Sequence, residues 1–203
     1  MITCVVLAAG ESRRFPGNKL LFEIKPGVTI IEILLKSILA SKVDRTIVVL
    51  GHEAELVIKK IKHFDSNLLH SIVNPNYING GMSSSIRQGV KHALDSHAII
   101  ITPADIPLIP PKVFDQLIDY YFNHSPRVII PTFQDQKGHP ILVSSELFQQ
   151  VLNISEEKRG MKEIVQNYWD DIIFLPTDSR EILQDVDKYE DMILLKSNLE
   201  DRI

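Results

Sequence analysis

Five short apolar runs rich in β-branched residues recur along the first two thirds of this 203-residue chain, with helix-period segments between them. The first covers residues 2–9 (Ile-Thr-Cys-Val-Val-Leu-Ala-Ala) and is closed by Gly10; the others are 45–50, 69–73, 98–102 and 127–130. A continuous apolar run without polar alternation is a strand covered on both faces. Between the runs, Ile30, Ile31, Leu34, Leu35 and Ile38 recur at three- and four-residue spacing in 29–40. Residues 54–61 offer Leu56, Val57 and Ile61, and 82–94 offer Ile86, Val90 and Leu94. Pro111 opens a further helix whose inward face is Phe114, Leu117, Ile118 and Tyr121. Strand alternating with helix predicts an α/β fold: three αβα layers built on a mostly parallel sheet. The last third is less regular. Strands are expected at 140–144, 172–175 and 182–186, and helices at 147–152, 160–167 and 189–195. Neither a repeat nor a linker breaks the chain, so residues 1–203 are expected to form one domain.

Ligands of open α/β sheets collect outside the carboxyl ends of the strands. The loops after residues 9, 73 and 102 are therefore expected at a common mouth. In the first, Gly10 lets the backbone turn sharply and approach an anion, and Arg13, Arg14 and Lys19 add positive charge. Neither Gly-x-Gly-x-x-Gly nor Gly-x4-Gly-Lys-Ser/Thr is present, which disfavours a dinucleotide-binding dehydrogenase and a P-loop NTPase. The second loop begins at Asn74 and leads to Gly80-Gly81-Met82-Ser83-Ser84-Ser85. Small polar groups there either read a base or ribose, or cap the following helix. In the third, Asp105 is either a turn residue or a magnesium ligand completed by phosphate oxygens. Asp185 and Asp187, on the expected late strand, point to opposite faces, so one of them joins the metal; a strand-end turn is the alternative. His139, in Gly138-His139-Pro140, contacts an acceptor phosphate or is an ordinary loop histidine.

Composition narrows the function further. Twenty-two basic against 26 acidic residues give a net charge of -4, a poor match for a nucleic-acid binder. The single cysteine, Cys4, lies in an apolar run and allows neither an internal disulfide nor a thiolate zinc site, which suits a reducing cytoplasm. The start lacks a charged leader and does not read as a signal peptide. No apolar run approaches the ~20 residues of a membrane span.

Taken in order, Leu7-Ala8-Ala9-Gly10-x-Ser12-x-Arg14…Lys19, Gly81-Met82-Ser83-Ser84-Ser85, Asp105-x-Pro107, Gly138-His139-Pro140 and Asp185-x-Asp187-x-x-Glu190-Asp191 resemble the MobA-like nucleotidyltransferases, and most closely their molybdenum cofactor cytidylyltransferases. The resemblance implies a sugar-nucleotide pyrophosphorylase (GT-A-like) fold. It implies CTP and Mg²⁺, transfer of CMP to the phosphate of molybdopterin or its Mo-bound form, and transient contact with a molybdoenzyme. By position, Lys19, Arg14 and Asp105 would be catalytic. Leu7, Ala8, Ala9, Gly10, Ser12, Arg13, Asn74, Gly81, Met82, Ser83 and Ser84 would bind the nucleotide. Asp105, with Asp187 and Asp185, would hold the metal, and Gly138, His139 and Pro140 would face the acceptor. The Leu-Ala-Ala-Gly form of the first motif resembles the cytidylyl branch. Pro16, Lys158 and Lys188-Tyr189 depart from the family pattern. Same-fold transfer to another acceptor (guanylyl transfer to molybdopterin, or a sugar phosphate or methylerythritol phosphate) and a non-catalytic cofactor-binding role are the alternatives.

Overall fold

A computed structural model of the chain describes residues 1–64, 67–188 and 190–192. Its strands and helices are β1 (Ile2–Ala8), β2 (Glu23–Lys25), β3 (Val28–Thr29), α1 (Ile30–Leu39), β4 (Arg45–Leu50), α2 (Ala54–Ile61), β5 (Leu69–Val73), α3 (Tyr77–Lys91), β6 (Ala98–Pro103), α4 (Pro111–His124), β7 (Val128–Phe133), β8 (Gln136–Lys137), β9 (Ile141–Ser144), α5 (Phe148–Leu152), α6 (Met161–Asn167) and β10 (Ile172–Pro176). The main sheet runs β10-β7-β9-β6-β1-β4-β5, with β8 appended to β7. The β6-β1-β4-β5 and β7-β10 pairings are parallel, and β9 lies antiparallel between β6 and β7.

Alternate residues of β1 feed two cores. Ile2, Cys4, Val6 and Ala8 pack with the apolar stripes of α1, α2 and α4, while Val5 joins Ile86 and Val90 of α3 and Phe148 and Val151 of α5 on the opposite face. The fold is thus α/β with a mostly parallel sheet between helical layers, as the alternation predicted. From β1 the chain steps outward through β4 to β5, then returns to lay β6 on the other side of β1. The direction of winding reverses between β1 and β6, and the crevice there is where an open sheet binds ligands.

Several local expectations are corrected. Residues 182–186 are not a strand: a 3₁₀ turn at Arg180–Leu183 leads into irregular chain. Its buried residues, Ile182 and Val186, are four apart, so the segment fits over the sheet's end rather than alternating along an edge. Leu56 and Leu94 face outward, 51% and 52% exposed. Leu94 lies beyond the end of α3, and the buried Ala93 takes its place in the core. The β2–β3 hairpin and β8 are too short to leave a periodic signature. The closing helix expected over 189–195 is seen as helical at 190–192; its remaining positions lie outside the described residues. Among the described residues no helix is long and apolar enough to cross a membrane.

Candidate active site

The loop after β1 is pinned by apolar anchors. Phe15 is buried, edge-on to Phe22 at 5.5 Å between ring centroids, and Leu20 is buried beyond it. Ser12 stitches the loop: its carbonyl accepts from Phe15 N (2.8 Å) and its hydroxyl accepts from Lys19 N (3.2 Å). With both ends fixed, Lys19 is drawn inward, its side chain only 12% exposed. Arg13 and Arg14 stay on the surface. Arg13 pairs with Glu11 at 2.7 Å, and Arg14 Nη2 reaches Asp187 Oδ2 at 3.0 Å.

Asp105 arrives from the adjacent strand. Past β6, Ala104 N donates to Leu7 O (3.0 Å), tying the loop to β1. Lys19 Nζ then donates to Asp105 Oδ2 at 2.7 Å and lies 3.9 Å from Asp187 Oδ1. The late segment is held to the same loop by Val186 N donating to Asp105 O (2.8 Å). The carboxylate of Asp191 accepts from the backbone N–H groups of Asp187 (2.8 Å) and Lys188 (2.7 Å), which fixes the turn. Of the two late aspartates, Asp187 meets Lys19 and Arg14, whereas Asp185 is exposed.

The serine-rich turn is built differently from a self-capped helix. At Gly81 (φ 54°, ψ -157°) α3 kinks, a conformation reserved for glycine, and an added Cβ would fall 2.7 Å from the carboxyl carbon of Glu156. Glu156 Oε1 accepts from Ser83 N at 2.7 Å. The expected serine cap is therefore supplied by a glutamate from the loop before α6. Asn74 is fully buried, and its amide donates to Ser84 Oγ (2.7 Å) and Ser85 Oγ (3.0 Å). It orders the turn from within.

Two adjoining hollows share Glu11 and Asp105 in their walls. One, of about 270 Å³, is lined by Leu7, Ala9, Gly10, Tyr77, Gly81, Met82, Ser85 and Pro103 as well. The other, of about 280 Å³, adds Ser12, Arg13, Arg14, Phe15, Lys19 and Asp187. Ala8, Asn74, Ser83 and Ser84 are buried behind these walls. Tyr77 was not legible as a wall residue. Its ring rests where a Cβ on Gly51 would sit, 2.6 Å from Tyr77 Cγ, so only the packing of two distant loops places it.

Gly138, His139 and Pro140 lie outside both hollows. A backbone bond from His139 N to Ile182 O (3.0 Å) holds them, and the His139–Pro140 peptide is cis. His139 Nδ1 is buried without a hydrogen-bond partner among the described residues. Burial pushes its pKa below the ordinary histidine value, opposed by the charges of Asp105 and Asp185.

Known proteins resemble the chain in sequence and in fold. The chain is 26% identical over 158 residues to the bifunctional protein GlmU of Streptococcus pyogenes serotype M1, covering 76% of this chain but about a third (33%) of that protein's length. It is 26% identical over 137 residues to a probable molybdenum cofactor guanylyltransferase of Thermococcus sibiricus, covering 68% of this chain and 65% of that one. A solved nucleotidyl transferase from Methanothermobacter thermautotroptrophicus superposes with a TM-score of 0.84 at 21% identity, over 100% of this chain and 99% of that chain, and so shares the fold. The family of MobA-like NTP transferase domains matches over residues 4–172, from the first residues of β1 to the start of β10, and the chain belongs to that family.

Proposed function

We propose that the protein is a nucleotidyltransferase that moves CMP from CTP to the phosphate of molybdopterin, releasing pyrophosphate. The observation that carries this reading is the meeting of Lys19, Arg14, Asp105 and Asp187, delivered by three sequence-distant segments, beside a second hollow floored by Leu7, Ala9 and Gly10. Cations grouped with carboxylates suit a metal-bound triphosphate. The adjoining hollow, with Tyr77, Met82 and Ser85, suits a base and ribose. Leu-Ala-Ala-Gly in the first loop supports CTP as donor.

Among the described residues no three His, Cys, Asp or Glu side chains gather into a self-sufficient cation cage. Asp105 and Asp187 nevertheless fit a hard divalent ion that takes its remaining ligands from phosphate and water. Bound there, magnesium would neutralise triphosphate charge and polarise the α-phosphoryl group. An acceptor phosphate oxygen attacks the α-phosphorus; the new P–O bond forms as the α–β bridging bond breaks, and pyrophosphate leaves. A phosphate monoester is anionic near neutral pH, so the protein needs no strong general base. Its work is to hold two anions that repel each other, with Lys19 and Arg14 on the triphosphate and Gly138, His139 and Pro140 toward the acceptor. The single buried cysteine supports action in a reducing cytoplasm, with delivery of product to a molybdoenzyme by transient contact.

The relative from Thermococcus sibiricus favours guanylyl transfer as the second reading. Pyrophosphate release measured with each of the four NTPs, with and without molybdopterin, decides between them. Release with CTP only when molybdopterin is present is the expected result. A preference for GTP selects the second reading, and release with a sugar phosphate instead reassigns the acceptor. No release under any pairing overturns catalysis.

A further inference from the structure

The side chains assigned to metal and those assigned to phosphate are bound to one another in this structure. Lys19 Nζ lies 2.7 Å from Asp105 Oδ2 and 3.9 Å from Asp187 Oδ1, and Arg14 Nη2 lies 3.0 Å from Asp187 Oδ2. The Lys19 ammonium lies within reach of both carboxylates, the groups that a shared divalent ion would use. An ammonium and a divalent cation cannot both use them at once, because they compete for the Asp105 oxygen and repel each other at short range. Lys19 is also free to leave without disturbing the loop. Its backbone is held through Ser12 Oγ, and Phe15 and Leu20 anchor the chain on either side, so a change of side-chain rotamer is enough. Arg14, 67% exposed at its side chain, moves with still less hindrance.

We infer that this site works by exchanging ion partners. Resting on the nucleotidyl-transfer reading, the inference is that Lys19 and Arg14 neutralise Asp105 and Asp187 until a triphosphate arrives. The phosphates then draw both cations away and release the carboxylates to the metal. In the empty cleft two cations balance two carboxylates, and on loading the metal takes over the carboxylates while Lys19 and Arg14 offset part of the triphosphate charge. Metal and triphosphate therefore bind with a coupling beyond direct chelation, and Lys19 is the element that both of them bias.

Titrating the full-length protein with Mn²⁺, read by loss of the free-ion electron paramagnetic resonance signal, tests this without reference to turnover. In the absence of nucleotide, Lys19→Met should bind Mn²⁺ about tenfold more tightly than wild type. Equal or weaker binding by a variant with wild-type circular dichroism overturns the exchange. Wild-type crystals soaked in Mn²⁺ alone give a second readout that needs no variant. Lys19 should be turned away from Asp105 wherever Mn²⁺ occupies the site, and a bound ion beside an intact Lys19–Asp105 bond overturns the inference. If wild-type crystals soaked in Mn²⁺ and CTP together show neither ion nor nucleotide in the cleft, the underlying nucleotidyl-transfer reading fails instead, so the two failures are distinguishable.

Discussion

Lys19 Nζ donates to Asp105 Oδ2 at 2.7 Å, closing a contact between residues 86 positions apart. The bond exists because β1 and β6 are parallel neighbours, paired from Ile2↔Ala98 to Leu7↔Pro103. Their carboxyl ends therefore open onto one crevice, and the loops leaving them face each other. On the proposed reading, a divalent metal and a triphosphate would share this meeting point.

Asp105 is the carboxylate most enclosed by the cationic loop. Asp105→Asn keeps the shape and one acceptor oxygen but removes the charge. It should lower kcat for pyrophosphate release at least about a hundredfold, with the thermal midpoint nearly unchanged. Near-wild-type turnover in a folded variant would remove Asp105 from the metal site.

Arg14 is mostly exposed, lines the same hollow as Lys19 and pairs there with Asp187 at 3.0 Å. Arg14→Ala should raise KM for the nucleotide roughly tenfold with a smaller change in kcat, since an exposed guanidinium contributes to ground-state and transition-state binding alike. A kcat defect with unaltered KM would instead place its action in the transition state. Initial rates over a range of CTP concentrations separate the two.

Gly81 carries two independent constraints, a backbone conformation reserved for glycine and the Glu156 carboxyl against its α-carbon. Gly81→Ala should destabilise by about 2–4 kcal/mol in urea unfolding. Pairing it with Glu156→Ala should relieve the clash while leaving the backbone strain. The double variant should therefore lose less than the sum of the two single losses. Strict additivity would show that the two residues do not meet.

Glu32 contributes to the pH dependence of stability. Burial pulls its carboxyl upward, but the N–H and hydroxyl of Thr29 (2.8 and 2.7 Å) and the ammonium of Lys60 (3.4 Å) together hold it below its ordinary value of 4.5. A carboxyl lowered on folding stabilises fully above its unfolded pKa, and that contribution is lost as pH falls through the folded value. Glu32→Gln should therefore cost about 1 kcal/mol at neutral pH and progressively less in acid below the ordinary value of 4.5. Urea midpoints for both proteins across that range measure it, and a difference that stays constant with pH would assign the effect to packing.

The sequence alone determined the layer architecture and most of its elements. Uninterrupted β-branched runs such as Val5-Val6 and Ile99-Ile100-Ile101 have no stable place except a sheet covered on both sides, and the Ile30–Ile38 stripe has none except against it. It also marked Gly10, Lys19 and Asp105, because charged and glycine residues in the loops after buried strands stand out locally. It flagged the Asp185–Asp187 pair as well, although on an expected strand that the structure replaces with irregular chain. Only the tertiary structure decided that Asp187 rather than Asp185 turns toward Lys19, that Glu156 caps the helix at Ser83, that Asn74 is enclosed behind the turn, and that Tyr77 lines the cleft. Each of these depends on contacts between segments far apart in the chain, and local periodicity carries no information about which distant loops the sheet order brings together.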